Sequence, residues 1–470
     1  MNTKALRQKI LDLAIHGKLV PQDPNDEPAS VLLERIRAEK ERLVKEGKIK
    51  RPKKTKATSD KPHYPYELPE GWCWCNLNEI AESSLGKTLD KSKNTGKVYP
   101  YLCALNVKWN AFDLSVVKSI KLEDNEKERY QVLKGDLLIC EGGDVGRSAI
   151  WNSNEPIYFQ NALHRVRFFG NIVADFYLYL FWCYKNYNWI DDICNGVTIK
   201  HLTQDKINAL HLPLPPVAEQ QRIVIEVKKW FVLIDQIEQI ENNLQSTIKQ
   251  TKSKILDLAI HGKLVPQDPT DEPASELLKR INPKAEITCD NGHYQKLPFK
   301  IPKSWVWCGH NDILEISGGA QPAKNHFISV PKDNYIRLYQ IRDYGDNLIP
   351  VYIPEELASK RTEKGDILLA RYGGSLGKVF HAETGAYNVA MAKVIFKYPN
   401  VIVRDFAYYY YLSDLYQGRL KEISRTAQAG FNSSDFNEMF FPLPPYEEQK
   451  RIVNAINQTF TILDTIMENL

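Results

Sequence analysis

Residues 81–88 have the residue types of a phosphate-binding loop, and Gly86, Lys87 and Thr88 stand at its end. Such a loop cradles phosphates with its backbone N–H groups when a strand precedes it and a helix N-terminus follows it. A polar stretch follows here instead, and the related stretch 314–321 has no lysine at that position. The sequence therefore predicts a backbone turn near a ligand rather than a nucleotide site, with Lys87 accessible to a phosphate.

Residues 443–446 are close to the Asn/Asp-Pro-Pro-aromatic motif with which amino-methyltransferases hold a target amine. That chemistry requires an amide or a carboxylate at the first position, whereas both copies of the motif, 214–217 and 443–446, begin with leucine. The prolines are better explained by a rigid turn into a following helix. We also find no Gly-rich loop for S-adenosylmethionine and no nuclease-type carboxylate pair followed by lysine. The sequence therefore predicts no catalytic, cofactor-binding or metal-binding residue.

The composition favours a cytoplasmic protein. The 470 residues include 62 Lys+Arg and 58 Asp+Glu, and a formal charge of +4 permits a local basic surface without demonstrating nucleic-acid binding. The eight cysteines contain no CxxC pair and are expected to be buried free thiols in a reducing compartment. We recognise no signal peptide and no apolar run long enough to span a bilayer.

Four sequence motifs each occur twice, which indicates a duplicated architecture. The most similar pair differs at only three positions over its whole length. The pairs are ILDLAIHGKLVPQDP and its continuation at 10–36 and 255–281, PLPPxxEQxRIV at 213–224 and 442–453, PxxWxW at 69–74 and 302–307, and KGD(L/I)L at 134–138 and 364–368. In the first pair, His16 and His261 are expected to cap helix ends, and Asp26 and Asp271 to be helix-start charges.

Residues 217–260 are predicted to form one long helix with an apolar seam. Apolar residues recur at spacings of three and four over about five heptads, and Gly262 follows where a helix stop is expected. At 1.5 Å per residue such a helix reaches roughly 60–65 Å, which suits a spacer that packs along a second helix. The residues expected in the seam and its continuation, and hence at helix or partner interfaces, are Ile223, Val227, Trp230, Ile234, Ile237, Leu244, Ile248, Ile452, Ile456 and Leu463.

The second copy of this helical region is divided between the two ends of the chain. Leu470 aligns with Glu241, and Met1 aligns with Ser246. Because a divided seam buries its apolar residues only when its pieces stack, we expect two globular segments that alternate with two helical arms in a circular arrangement. Two alternatives stay open, namely that the long helix belongs to an ordinary bundle and that the N-terminal copy is an independent appendage.

The sequence therefore predicts an α+β fold, with two similar mixed α/β domains separated by two long antiparallel helical arms and approximate two-fold symmetry. Strands are predicted at 72–80, 115–122, 136–140 and 149–152, helices at 175–189 and 405–420, and a loop at 425–432. The predicted segments are 1–46, a helical repeat that completes the C-terminal arm; 47–63, a basic linker; 64–216, the first domain; 217–287, the central arm and its helical repeat; 288–445, the second domain; and 446–470, the C-terminal arm helix.

This combination resembles the specificity subunit of type I restriction-modification enzymes. The resemblance rests on the duplicated PLPPxxEQxRIV and ILDLAIHGKLVPQ, the long seam helix and the two PxxWxW openings, and it covers essentially the whole chain. It implies two target-recognition domains that each read one half of a split DNA sequence, and arms that set the gap and dock two methyltransferase subunits. It also implies a restriction/translocase subunit, with S-adenosylmethionine, ATP and Mg²⁺ bound by the partners.

Reading bases requires donors and acceptors on loops, and cations that contact phosphates. Loop position, charge and correspondence between the copies select the candidate DNA contacts Lys87, Arg147, Lys200, His201, Arg371, Lys378, Arg425 and Gln428. Each of them is otherwise an ordinary solvated side chain, and the basic linker 47–63 is either a tether or a phosphate-contacting arm. Two other functions stay open, namely an autonomous methyltransferase or nuclease and a coiled-coil scaffold without DNA specificity.

Overall fold

The computed structural model describes residues 2–47, 49, 66–90, 94–194, 200–281, 283, 297–345, 348–426 and 430–470, with 424–426 described by their backbone. Most of the predicted basic linker 47–63 lies outside these ranges. The chain divides into two compact units, Met1–Ile240 and Glu241–Leu470, which we call unit 1 and unit 2. The division falls inside the long helix. The predicted boundaries of the central arm, at 216/217 and 287/288, stay predictions.

Unit 1 consists of helices that flank a strand-rich domain. The helices are α1 (Thr3–Ile15), α2 (Ala29–Lys45), α3 (Leu77–Ile80), α4 (Lys127–Tyr130), α5 (Ala174–Asn186), α6 (Trp189–Ile193), α7 (Gln204–Asn208) and α8 (Val217–Ile260), which continues into unit 2. The strands are β1 (Cys73–Asn76), β2 (Ala81–Leu85), β3 (Lys97–Leu102), β4 (Val107–Lys108), β5 (Ala111–Phe112), β6 (Lys118–Leu122), β7 (Gln131–Val132), β8 (Leu137–Cys140), β9 (Ser148–Ile150), β10 (Ile157–Phe159), β11 (Leu163–Phe168) and β12 (His211–Leu214).

Unit 2 repeats this order of elements. Its further helices are α9 (Ala274–Ile281), α10 (His310–Ile313), α11 (Arg404–Leu412), α12 (Asp414–Thr426) and α13 (Tyr446–Glu468). Its strands are β13 (Val306–Gly309), β14 (Leu314–Gly318), β15 (Tyr335–Tyr339), β16 (Tyr352–Pro354), β17 (Arg361–Thr362), β18 (Ile367–Ala370), β19 (Val379–His381), β20 (Gly385–Tyr387), β21 (Met391–Phe396) and β22 (Phe440–Leu443).

The four-stranded sheets of the two units correspond strand for strand. In the described part of unit 1, the four-stranded sheets have the orders β2-β11-β8-β9 and β6-β3-β10-β7, and β1 pairs with β12. In unit 2 the matching orders are β14-β21-β18-β19 and β16-β15-β20-β17, and β13 pairs with β22. The β4-β5 hairpin of unit 1 has no counterpart among the described residues of unit 2. The predicted α+β fold with two similar domains and a long helix is confirmed.

The repeated motifs bind one another within unit 1. Nε1 of the buried Trp72 donates a 2.8 Å hydrogen bond to Glu219, so the PxxWxW motif is tied to the start of α8. Gln220 accepts a hydrogen bond from the backbone N–H that precedes α5. Arg222 donates two hydrogen bonds of 3.2 and 2.6 Å to Asp26. Asp26, which was expected to be a helix-start charge, therefore joins the segment after α1 to α8.

The same contacts recur in unit 2. Nε1 of Trp305 donates to Glu448 at 3.0 Å, and Gln267 donates to the same oxygen at 2.6 Å. Arg451 donates two hydrogen bonds of 3.2 and 2.6 Å to Asp271. These pairs explain why the three motifs are duplicated together, since each supplies a partner to another.

The first part of α8 contacts α1 within unit 1. Arg7 of α1 lies 2.6 Å from Asp235 and 3.1 Å from Glu238, and the chain after α1 reaches Arg222 through Asp26. Residues of α1 belong to the same buried core as α8 and the β2-β11-β8-β9 sheet. The alternative that the N-terminal repeat is an independent appendage is therefore wrong. The circular arrangement of the arms stays a prediction.

The apolar seam is largely as predicted, with one exception in unit 1. Ile223, Val227 and Ile234 are fully buried, but Trp230 is 39% exposed and Phe231 is buried in its place. The prediction that Trp230 lies in the buried seam is wrong, whereas its expected place at a partner interface stays a prediction. An α-helix has 3.6 residues per turn, so the apolar stripe drifts from a strict seven-residue row and moves away from Trp230.

The seam continues along α8 and α13. Ile248, Ile452 and Ile456 are buried, with exposed fractions of 3% or less. The remaining predicted seam residues are half-buried, namely Ile237, Leu244 and Leu463. In unit 2, Lys252 of α8 forms an ion pair with Asp464 of α13, as Arg7 does with Asp235 in unit 1.

Several predicted element boundaries are wrong for local reasons. The predicted strand 72–80 ends at Asn76, because the Glu79 carboxylate accepts the Asn76 N–H and begins α3. The predicted helix 175–189 ends before Asn188, which has a left-handed φ of 63°. The predicted helix 405–420 is interrupted at Ser413. Arg425 lies in α12 rather than in the predicted loop.

Candidate nucleic-acid interface

In unit 1 the loops that carry the predicted contacts meet at one end of the β2-β11-β8-β9 sheet. We call residues 86–88, 141–147, 160–162 and 200–202 loop edge 1. Backbone hydrogen bonds join its pieces, from Asn161 N to Lys87 O at 3.1 Å, from Glu141 N to Ala162 O at 3.0 Å and from Leu202 N to Glu141 O at 2.9 Å. Because β2 and β8 run antiparallel to β11, the ends of the first two strands lie beside the start of the third.

Unit 2 has the same construction, which we call loop edge 2 and define as residues 319–321, 371–378, 388–390 and 430–432. Arg371 N donates to Ala390 O at 2.9 Å, and Tyr372 forms an isolated antiparallel bridge with Gly430. The matching bridge in loop edge 1 joins Gly142 and His201.

A glycine at the same place in both edges allows two backbones to approach closely. A Cβ on Gly86 would lie 2.3 Å from the carbonyl carbon of Gln160, and one on Gly319 would lie 2.0 Å from the carbonyl oxygen of Asn388. Any side chain at these positions would force the two loops apart. Gly86, the glycine of the stretch 81–88 that has the residue types of a phosphate-binding loop, therefore fits the predicted backbone turn.

Lys87 is ion-paired with a carboxylate of unit 1. Its ammonium forms an ion pair with Glu126, and the side chain is only 13% exposed. The hydrogen bond from Lys87 lowers the pKa of Glu126, which keeps that partner ionised. The expectation that Lys87 is accessible to a phosphate is therefore wrong for this conformation, since contact would require breaking the pair.

Arg147 and Lys200 are also held by internal contacts. Arg147 donates to Ala104 O at 2.9 Å and lies 3.4 Å from Asp144, so it fixes the Gly-rich loop. Lys200 lies 3.2 Å from Asp191. Burial opposes the ionisation of Asp191, but hydrogen bonds from lysines hold its pKa below the ordinary value. These cations contribute less free positive charge to loop edge 1 than their number suggests.

The remaining candidates are more accessible. His201 is exposed at loop edge 1, and Lys378 is exposed at loop edge 2 without an ion pair to any described residue. The guanidinium of Arg371 lies over the rings of Tyr372 and Phe431, at 4.9 and 5.9 Å from their centroids. Gln428 and the side chain of Arg425 lie outside the described part of the chain. The assignment of these residues to DNA contact stays a prediction.

Selection by positive charge missed three residues of loop edge 1. Glu141, Gln160 and Asn161 lie at its centre and are half-buried. Amides and carboxylates read base edges as readily as cations contact phosphates. The signal for Glu141 was present in the sequence, because the duplicated KGD(L/I)L motif aligns it with Arg371.

The described ranges contain neither a membrane-spanning helix nor a cluster of metal ligands. No helix in them is both long and apolar enough to cross a membrane. Within the same ranges, no three His, Cys, Asp or Glu side chains are grouped so that they could hold a metal ion. The seven cysteines of these ranges are unpaired, and five of them are buried.

Comparison with known proteins identifies the class to which this fold and these edges belong. The family model described as "Type I restriction modification DNA specificity domain" matches residues 69–249 and 302–470, so each match contains one recognition domain and the helix after it. The chain belongs to this family, and its function is sequence-specific DNA recognition in a type I restriction-modification system.

Individual relatives are distant but extend along the chain. It is 27% identical to the specificity subunit of the type I restriction enzyme EcoAI of Escherichia coli, with 97% of this chain and 88% of that subunit aligned. It is also 27% identical to the EcoEI specificity subunit of Escherichia coli, over 99% of this chain and 90% of that subunit.

Two solved structures share the fold. A chain from a structure described as the complex assembly and conformational transition of the type I R-M system matches with a TM-score of 0.62 and 18% identity, over 86% of this chain and 94% of that one. The HsdS subunit of Thermoanaerobacter tengcongensis matches with a TM-score of 0.51 and 18% identity, over 86% of this chain and 93% of that one.

Proposed function

We propose that the chain is the non-catalytic subunit that selects the target of a type I restriction and methylation complex. Unit 1 and unit 2 each read one half of a bipartite DNA sequence through loop edges 1 and 2. Two methyltransferase subunits dock on the helical arms, and restriction/translocase subunits join that complex. S-adenosylmethionine, ATP and Mg²⁺ belong to these partners, and the complex acts on DNA in the cytoplasm.

The observation that carries the proposal is the duplicated loop edge with divergent side chains. The backbone contacts of the two edges are equivalent, from the glycine approach to the strand-end hydrogen bonds. The residues they present differ, with Glu141 and Gln160 in one and Arg371 and Asn388 in the other. A common scaffold with different surface chemistry is what two readers of different half-sites require, because base edges are distinguished by their donors and acceptors.

A coiled-coil scaffold without DNA specificity accounts for the arms but leaves the two divergent edges and the family match unexplained. An autonomous enzyme would need a catalytic constellation that the sequence does not contain.

The test is sequencing-based mapping of methylated bases in cells that carry the methyltransferase subunit with and without this chain. We expect methylation of one split motif that appears only when both proteins are present. A complex that assembles yet produces no new methylated motif would overturn the proposal and favour the scaffold. Methyl transfer by the purified chain alone would favour the autonomous enzyme.

A further inference from the structure

Glu141 and Arg371 occupy equivalent positions with opposite chemistry. Each is the residue that follows the buried strand β8 or β18, directly after the KGD(L/I)L motif. Each donates its backbone N–H to the carbonyl of the residue directly before β11 or β21, Ala162 O at 3.0 Å and Ala390 O at 2.9 Å. The scaffold therefore places an acid in loop edge 1 where it places a guanidinium in loop edge 2.

Arg371 is held in a defined orientation while most of its donors stay unused. Its guanidinium stacks on the rings of Tyr372 and Phe431, and one nitrogen lies 3.4 Å from Phe431 O. The ring of Tyr372 is 44% exposed, so the stack reaches the surface of the edge. A guanidinium has five N–H donors in a rigid planar fork, and no other acceptor for them is found among the described residues.

Glu141 presents acceptors from a partly desolvated position. Its carboxylate accepts no hydrogen bond from any residue in the described ranges, although its backbone oxygen accepts one from Leu202. Burial raises the pKa of Glu141, and the nearby His201 opposes this rise. This half-buried carboxylate can therefore accept a hydrogen bond from a ligand without first giving up a donor of the described residues.

The chemistry of base edges matches each residue to one base. A carboxylate accepts from the exocyclic N4 amino group of cytosine, and arginine donates to both O6 and N7 of guanine. We propose that the residue after β8 or β18 determines specificity, with Glu141 reading a cytosine in one half-site and Arg371 reading a guanine in the other. This inference rests on the proposed function and deepens it by naming the base that each edge selects.

The experiment uses the full chain assembled with its methyltransferase subunits, and duplexes in which each base pair of the mapped motif is replaced in turn. The variants are Glu141→Gln, Arg371→Ala and Arg371→Lys. We expect Glu141→Gln to reduce discrimination at one cytosine position by about tenfold or more, and Arg371→Ala to do the same at one guanine position of the other half-site. Arg371→Lys should also lose this discrimination, because an ammonium keeps the charge but not the bidentate fork.

Lys378→Ala is the matched control. If Lys378 contacts a phosphate, its loss should weaken binding to all duplexes by a similar factor. Three results would overturn the inference: a similar uniform loss in the Glu141 and Arg371 variants, effects of both residues in the same half-site, or unchanged discrimination in all three variants. Glu141→Gln and Arg371→Lys nearly preserve side-chain size, so they remain informative if Arg371→Ala does not fold. A wild-type complex that selects no split motif would instead overturn the proposed function itself.

Discussion

Trp72 Nε1 donates a 2.8 Å hydrogen bond to the Glu219 carboxylate in the buried junction between the recognition domain of unit 1 and α8. The equivalent Trp305 donates to Glu448 at 3.0 Å in unit 2, and that carboxylate also accepts from Gln267 at 2.6 Å. Gln22, at the place that matches Gln267, likewise lowers the pKa of Glu219 through a hydrogen bond, so the two junctions hold their carboxylates with the same kinds of donor.

This equivalence predicts similar effects of the same substitution in the two units. Trp72→Phe should lower the free energy of unfolding of unit 1 by about 1–3 kcal/mol through the lost donor, with a similar cavity cost in both units. Trp305→Phe should destabilise unit 2 by a similar amount, because Gln22 and Gln267 remain as donors to the two carboxylates. Hydrogen exchange resolved by peptide measures each unit separately. A loss confined to one unit would contradict the equivalence of the two junctions.

The raised pKa of Glu219 predicts that stability depends on pH. Burial raises its pKa above the ordinary value of 4.5, although the bond from Trp72 lowers it in part. The folded chain binds this proton more tightly than the unfolded chain, so the stabilisation is complete below the unfolded pKa and is lost as the pH rises through the folded pKa. Glu219→Gln is neutral throughout and should gain thermal stability relative to wild type between pH 4.5 and neutral pH.

Thermal unfolding midpoints of both chains across this pH range provide the measurement. Glu448→Gln should behave in the same direction, since burial also raises the pKa of Glu448. A difference between wild type and variant that is constant with pH would show that Glu219 keeps its ordinary pKa.

The seam of α8 gives a matched pair of truncations. Ile234 is fully buried, so Ile234→Ala should cost about 2–5 kcal/mol of unfolding free energy. Trp230 is 39% exposed despite its place in the heptad row, so Trp230→Ala should cost less, about 1–2 kcal/mol. Chemical denaturation of the two variants measures both values. A larger loss for Trp230 than for Ile234 would place the tryptophan in the seam after all.

The duplicated architecture could be predicted from sequence because the motifs that repeat are the ones that bind one another. Asp26 and Trp72 are far along the chain from Glu219 and Arg222, yet each of the four has an identical residue at the matching place in the second copy. Strict heptad counting failed at Trp230 because the helix has 3.6 rather than 3.5 residues per turn.

The candidate site was only partly predictable. Lys87 was selected as a free cation, but its partner Glu126 lies 39 residues further along the chain and follows no local pattern. Glu141 was missed because the selection favoured positive charge, whereas recognition of bases also uses acceptors. Local sequence patterns therefore predicted where the loops are. Only the tertiary contacts showed which of their side chains are already paired within the chain.

Ile237 lies in the interior of α8 and tests the proposed spacer. Ile237→Pro removes a backbone donor and clashes with the preceding turn, at a cost of about 3 kcal/mol or more. We expect loss of methylation at the bipartite motif, while Ile237→Ala, which keeps the helix, should largely retain it. Methylated-base mapping in cells carrying each variant is the measurement. Unchanged methylation of the same motif with the same gap in the proline variant would exclude a spacer role for α8.

Lys378 and Lys87 allow a comparison between an unpaired and an ion-paired lysine at the loop edges. Lys378 is exposed without an ion pair to a described residue, whereas Lys87 is paired with Glu126. Each phosphate contact releases counterions, so Lys378→Ala should reduce the slope of log binding constant against log salt concentration by about 0.9. Lys87→Ala should leave that slope unchanged. Affinities measured at several salt concentrations for the assembled complex decide between these outcomes, and a reduced slope for Lys87→Ala would mean that DNA displaces Glu126 and takes this lysine as a phosphate contact.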